Sequence, residues 1–245
     1  MAVNGNDFRQ TAEQMEVNDL RYIASVLAAT LCALCAACVP SVTLNPSVKG
    51  VNYKGCNIQI VVVDSIRFSY KGSLEDEFGK TNQYGKIKEF LGNSFRRVFA
   101  DSAAVFRTRN EPANSFKLLA QRLTGGDTAT VLLPDPKEPY RNLCDTCFTS
   151  QVTLFVEQLH ISSNMEIQMV SVMGIPVAGI PQKPIWIRGK FIYWDNARNV
   201  PIAWKDVEAS ASDGATATLS TWRIASESFA MELIRKTPFD KSWKP

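Results

Sequence analysis

The chain has 245 residues and a nearly balanced charge, 27 Lys and Arg against 24 Asp and Glu, for a formal net charge of +3 at pH 7. Its charges are scattered rather than gathered into the basic face that a nucleic-acid binder needs, so no nucleic-acid partner is expected. With one histidine, His160, a Ser-His-Asp or Cys-His hydrolase would have a single candidate base.

Residues 1–20 are mostly polar, and Met15 is an alternative start. Arg21 then precedes an apolar, small-residue core, Tyr22–Leu34, which ends in Cys35-Ala36-Ala37-Cys38. A basic flank, an apolar core of this length and a small-residue cleavage site make a secretory signal. Ala36-Ala37-Cys38 resembles the bacterial lipoprotein signal, in which an aliphatic residue and two small residues precede the Cys that receives lipid. Cys35 stands where that pattern usually has Leu. The resemblance implies cleavage before Cys38, its acylation by palmitate-type chains, a membrane anchor and a place in the cell envelope. Val39, rather than Asp, follows the Cys. By resemblance to sorting in enteric bacteria, this implies the outer membrane, facing the periplasm. Three other readings of the run stand: cleavage without lipid, a retained anchor and a buried core helix. Tyr22–Val39 is near the shortest spanning length, and its Ala, Cys and Thr residues insert poorly.

On the lipoprotein reading, 1–37 is a signal peptide with a long n-region, 38–54 a tether rich in turn residues, and 55–245 a single domain. Loss of residues 1–37 removes two basic and four acidic residues, which raises the net charge from +3 to +5.

The domain begins with a period-2 run. Ile58, Ile60, Val62, Ile66, Phe68 and Tyr70 alternate with Gln59, Val61, Val63, Ser65, Arg67 and Ser69. Val61 and Val63 predict burial of both faces in the first half. Residues 71–80 read as a polar loop. Over 82–100 the period lengthens: Tyr84, Ile87, Leu91, Phe95 and Val98 mark one side of a helix. A short strand at 104–107, a second helix at 113–123 stopped by Gly125-Gly126, and a strand at 128–133 follow. Residues 134–147, with three prolines, form a loop. Strands are then predicted at 152–156, 165–172, 184–194 and 200–209, the last two joined as a hairpin through 195–199. A final helix, 220–236, carries Trp222, Ala225, Phe229 and Leu233 on one face and ends before Pro238. This order predicts an α+β fold, a mainly antiparallel sheet with two or three helices packed on one side. The order of elements resembles small periplasmic accessory domains of envelope lipoproteins, such as auxiliary lipoproteins of lipid-transport ABC systems and the periplasmic part of the curli-secretion lipoprotein.

Three features bear on chemistry. Cys144-Asp-Thr-Cys147 follows a Pro-rich loop and runs into a strand, which is the wrong setting for a redox pair at a helix N-terminus. A disulfide between Cys144 and Cys147, with Cys56 free, is expected; a reduced pair, a redox pair and a metal site remain as alternatives. Zinc would need two further ligands, and Cys56 and His160 lie far off in sequence. No metal site and no cofactor are expected. His160, in Gln158-Leu159-His160-Ile161-Ser162, is expected at an exposed turn between two strands, and no nucleophile-elbow, zincin, phosphate-loop or dinucleotide motif accompanies it. The third feature is 169–182, which is uncharged and repeats Gly-Ile-Pro at 174–176 and 179–181. Its glycines and prolines predict an apolar loop past Met173 rather than a regular strand. Met173, Ile175, Val177 and Ile180 are then candidates for partner binding or membrane contact, with folding back onto the core as the alternative. The late aromatics, Trp186, Tyr193, Trp194, Trp204 and Trp222, are expected mostly in the core.

These features add up to a non-enzymatic binding or accessory subunit of an envelope assembly, without catalytic residues, lipid-anchored at Cys38 and contacting a protein partner in the envelope. The alternative is a periplasmic hydrolase using paired carboxylates. Its candidates, Glu75, Asp76 and Glu77, read as a solvated loop cluster.

Overall fold

The computed structural model describes residues 42–63, 66–70, 74–111, 117–123, 129–135, 137, 150–172 and 175–243, all within a unit running from Val42 to Pro245. Runs rich in Ile, Val, Phe and Tyr supply most of the strands. In chain order they are β1 (Thr43–Leu44), β2 (Cys56–Val62), β3 (Arg67–Tyr70), β4 (Val105–Glu111), β5 (Leu118–Leu123), β6 (Ala129–Pro134), β7 (Val152–Ser163), β8 (Glu166–Val172), β9 (Ile175–Gln182), β10 (Ile185–Asp195) and β11 (Val200–Ala211). The helices are α1 (Leu74–Phe78), α2 (Gln83–Ser102) and α3 (Leu219–Ile234).

Seven strands form one sheet in the order β1-β11-β10-β7-β2-β4, with β3 also paired to β7. The fold is α+β, as expected, but the sheet is mixed. β1–β11, β11–β10 and β10–β7 are antiparallel, whereas β2–β7, β3–β7 and β2–β4 are parallel. The parallel part arises because α2 lies between β3 and β4, and a helical crossover returns the chain in the direction it left. The run expected as one strand over 58–70 is two strands, both laid along β7: β2 against Val152–Val156 and β3 against His160–Ser163.

Helices cover one face of this sheet, as predicted. Ile87, Leu91, Phe95 and Phe99 of α2 and Trp222, Ala225, Phe229 and Leu233 of α3 are fully buried against Ile58, Ile60, Leu154, Ile187 and Phe191. Phe95 and Phe229 stack with centroids 5.8 Å apart, and Arg97 of α2 pairs with Glu227 of α3. The N-terminus of α3 closes with a capping box between Thr218 and Thr221, which satisfies otherwise orphaned backbone donors.

The opposite face carries a second apolar cluster, Val61, Val63, Phe155, Ile192, Trp194 and Trp204. The buried Val61 and Val63 bear out the reading of β2 as buried on both faces. A separate hairpin, β5–β6, covers this cluster through Leu123, Val131 and Leu133. The helix expected at 113–123 is therefore corrected: Leu118–Leu123 is a strand, paired residue by residue with Ala129–Pro134. Leu119 and Leu123 fit a helical stripe, but so short an apolar run fits either structure, and pairing with the next segment decides it.

Two further expectations are corrected. The loop over 71–80 contains α1, whose Phe78 meets the edge of Trp222 at 5.1 Å. The tether expected over 38–54 is bonded into the fold in its described part, 42–54. Thr43 and Leu44 pair with Trp204 and Ala203, Asn45 donates to Ile202 and Pro201 carbonyls, and Val48 and Tyr53 are buried. Two residues added to a sheet edge need only backbone pairing, which leaves no periodic signal.

β7 contains the irregularity that shapes the outer face. Lys190 pairs with Glu157 and Arg188 with His160, so β7 has one residue more than β10 between those pairs. Gln158 takes φ 54, the left-handed region, at a cost of about 1 kcal/mol or more for a non-glycine residue. The extra residue reverses the alternation. Before it, Val152, Leu154 and Val156 face the helices; after it, Leu159 and Ile161 do. Opposite the bulge sits Gly189, where a Cβ would lie 3.0 Å from Leu159 Cδ2 and 3.2 Å from Phe229 Cζ.

Candidate functional site

The partner-contact residues expected from sequence fall on the β8–β9 hairpin. Met173 lies outside the described residues. Ile175, Val177 and Ile180 belong to β9, so the expected loop is corrected to a strand. Among the described residues β9 pairs with β8 alone, from Glu166↔Gln182 to Val172↔Ile175. A two-stranded ribbon has two edges, and a proline that cannot donate is tolerated where its nitrogen faces an edge. This lets Pro176 and Pro181 sit opposite Ser171 and Ile167.

The ladder also has a bulge. Gln168 pairs with Ile180 but Val170 with Val177, so two residues of β9, 178 and 179, oppose one of β8. At the base of the hairpin, Met165 and Ile167 are 64% and 68% exposed. The base is tied down where the Lys183 N–H donates to the Gly214 carbonyl at 2.9 Å and the Lys183 ammonium lies 5.4 Å from the Tyr70 ring centroid.

A different constellation lies on the outer face of the main sheet. Arg67 of β3, His160 of β7 and Arg188 of β10 form one cross-strand row. In β3, Phe68 and Tyr70 pack on the helix-side core, which leaves Arg67 and Ser69 pointing the other way. Ser69 Oγ and His160 Nε2 share a hydrogen bond at 2.9 Å. A pocket of about 580 Å³ is lined by Arg67, Phe68, Ser69, Gln158 and His160. His160 is thus inside a strand, not at the turn expected of it. The alternation puts Arg67 and Ser69 on one face, but the change of alternation across Gln158 reads as a strand break, which is why His160 is expected at a turn and not beside them.

Glu157 is the most deeply placed carboxylate near this face. It is 3% exposed; its Oε2 accepts from the Leu132 N–H at 3.1 Å, and its Oε1 has no partner. Burial raises its pKa, against the lowering effects of the Leu132 N–H and the Lys190 charge. A carboxylate-pair hydrolase needs two facing acids, one of them in an apolar setting. The cross-strand neighbour of Glu157 is Lys190, not an acid, and no carboxylate lines the pocket among the described residues.

At the far end of the sheet, Asp195 caps its own turn. It accepts from Tyr53 Oη, the Ala197 and Arg198 N–H groups and the Arg198 guanidinium, all at 2.9 Å. Burial pushes its carboxyl up, but these donors together hold it below the usual carboxylate range. Cys56, free and buried, is pushed up to about 12 by burial. Cys38, Cys144 and Cys147 lie outside the described residues. No helix among the described residues is long and apolar enough to cross a membrane.

No family model and no curated protein matches the sequence. Among solved structures, the chain is similar to a PelC dodecamer from Paraburkholderia phytofirmans, at 12% identity and TM-score 0.33, covering 83% of this chain and 99% of that one. It is also similar to a neuraminyllactose-binding hemagglutinin homolog from Helicobacter pylori, at 8% identity and TM-score 0.35, covering 76% and 86%. TM-scores of this size establish no common fold and assign no function.

Proposed function

We propose that this chain is a lipid-anchored, non-enzymatic subunit of a cell-envelope assembly, held to the outer membrane through Cys38, and that the β8–β9 hairpin is its contact with a protein partner. The hairpin carries the reading. Among the described residues it pairs with no strand of the main sheet; it has no charged residue from Met169 to Gln182, and it exposes Met165 and Ile167 at its base. Unpaired edges offer backbone donors and acceptors for strand addition, and past Glu166 the ribbon has no charged side chain to desolvate on contact. The apolar run ending in Ala36-Ala37-Cys38 supports the envelope part of the reading.

The test is a crosslinking pull-down from envelope fractions with wild type and with Ile175→Asp combined with Ile180→Asp, alongside thermal unfolding of both. The reading expects loss of the crosslinked partner at unchanged Tm. A pair of substitutions that lowers Tm by many degrees yet retains the partner overturns it, because the hairpin would then be packing rather than contact. Retained binding to partner-free vesicles, lost in the variant, would reassign the hairpin to the membrane.

A further inference from the structure

Across the outer face of the sheet, the basic residues of β10 are already neutralised by β11. Arg188 Nε lies 2.7 Å from Glu208 Oε2, and Lys190 Nζ lies 3.5 Å from Asp206 Oδ1. Arg67 stands in the same row, on the other side of His160, and has no carboxylate within salt-bridge distance among the described residues. Beside it, the pocket wall supplies the Ser69 hydroxyl, the His160 ring nitrogen and the Gln158 amide. The Gln158 Nε2 reaches the Thr130 carbonyl only at 3.4 Å, a long bond that leaves the amide available.

This is a set of donors around a guanidinium with no carboxylate partner among the described residues, the composition that receives an oxyanion through charge-assisted hydrogen bonds. The backbone is bent to make it. Without the left-handed Gln158, the alternation of β7 would turn His160 toward the helices and Leu159 toward the pocket. The left-handed residue therefore coincides with an exposed site where Arg, Ser, His and Gln converge, and such strain gathers at binding sites. A volume of about 580 Å³ exceeds what a bare phosphate fills and accommodates a substituted one.

We propose that Arg67, Ser69, Gln158 and His160 form a binding site for a phosphate group, either the free ion or a lipid-type phosphodiester. Arg67 provides the charge and a two-pronged contact, the Gln158 amide a further donor, and the Ser69–His160 pair, whose mutual bond uses one proton, the remaining one. The site is independent of the β8–β9 hairpin.

Because His160 is the one histidine of the chain, its imidazole C–H resonances are a single unambiguous reporter. The full chain in maltoside micelles is titrated, at matched ionic strength, with inorganic phosphate and separately with glycerophosphoglycerol, the soluble headgroup of an anionic lipid. A saturable displacement of the His160 resonances is expected with at least one probe. It should weaken by about tenfold or more in Arg67→Gln, the effect of removing a charged hydrogen-bond partner. Ser69→Ala should shift the unliganded resonance and weaken binding less. Tighter saturation by glycerophosphoglycerol assigns the site to a lipid headgroup, and saturation by phosphate alone assigns it to the free ion. No saturable displacement with either probe, or an identical titration in Arg67→Gln, overturns the proposal. Both side chains point to solvent, so either variant should fold, and thermal unfolding checks that it does.

Discussion

Gly189 offers a direct test of how the β7 bulge is packed. A Cβ at this position would lie 3.0 Å from Leu159 Cδ2, 3.2 Å from Phe229 Cζ and 3.3 Å from the Glu157 carbonyl oxygen. The first two are ends of side chains and can yield; the third is backbone held in the β7–β10 ladder. Overpacking of this kind costs about 1–3 kcal/mol, set against a gain of roughly 0.4–1 kcal/mol from the reduced freedom of the unfolded chain. Gly189→Ala should therefore lose about 1–2 kcal/mol net. In a domain of about 200 residues this lowers Tm by roughly 2–8 °C. Phe229→Leu shortens the ring that meets the new methyl, and alone it costs about 1–2 kcal/mol in lost packing. The two changes share a contact, so the double variant should be less destabilised than the sum by about 0.5–1.5 kcal/mol. Rescue should be partial, because the Glu157 carbonyl stays where it is. Thermal unfolding of the four proteins in the double-mutant cycle gives the answer. A Gly189→Ala protein as stable as wild type, or a strictly additive double variant, would refute the packing argument.

The remaining predictions use the buried polar groups and the anchor. Cys56, raised to about 12 by burial, should resist alkylation in the native protein at pH 8 and react only on unfolding, read by peptide mass; rapid native labelling would contradict its placement. Asp195 has a depressed folded pKa, so its contribution is present above about pH 3.8 and lost as pH falls through the folded value. Asp195→Asn should cost about 1–3 kcal/mol at pH 7 and flatten the acid limb of the stability curve, measured by urea unfolding at several pH values. Glu157 is the opposite case. Its folded pKa is raised, so stability falls as pH rises through that value, and Glu157→Gln should remove that fall in the same assay. Intact mass of membrane-extracted protein should show a chain beginning at acylated Cys38; a chain that keeps Tyr22–Ala37 would sink the anchor proposal.

Where one residue type recurs at one spacing, the fold was legible in the residues themselves. Ile58 to Tyr70, Tyr84 to Val98 and Trp222 to Leu233 each lie in the kind of element their period implies, because burial on one face leaves its mark at two or at three to four residues. The misreadings share a different cause. Over 113–123 the pattern suited two structures, and the partner strand that chose between them lies downstream. At Thr43–Leu44 the bonding is all backbone, so no side-chain pattern records it. Across Val156-Glu157-Gln158-Leu159 the core-facing positions pass from even to odd numbers. That change is visible in the sequence and marks a bulge as readily as a break, and it is why His160 is expected at a turn rather than within a strand. β9 was missed because Gly and Pro argue against a strand inside a sheet, whereas a free ribbon has edges that accommodate them.

The position of the β8–β9 ribbon in the chain has an evolutionary consequence. It leaves the main sheet at Ser163 and returns at Ile185, and the strands on either side are already neighbours, with Ser162 paired to Trp186 and Ile161 to Ile187. A tight turn between those two strands would close the same sheet without it. The ribbon is therefore an exchangeable cassette: its length and composition can drift, or be swapped, while the core that α2 and α3 build on the main sheet is kept. Selection on what this protein touches and selection on whether it folds can act on separate stretches of one chain.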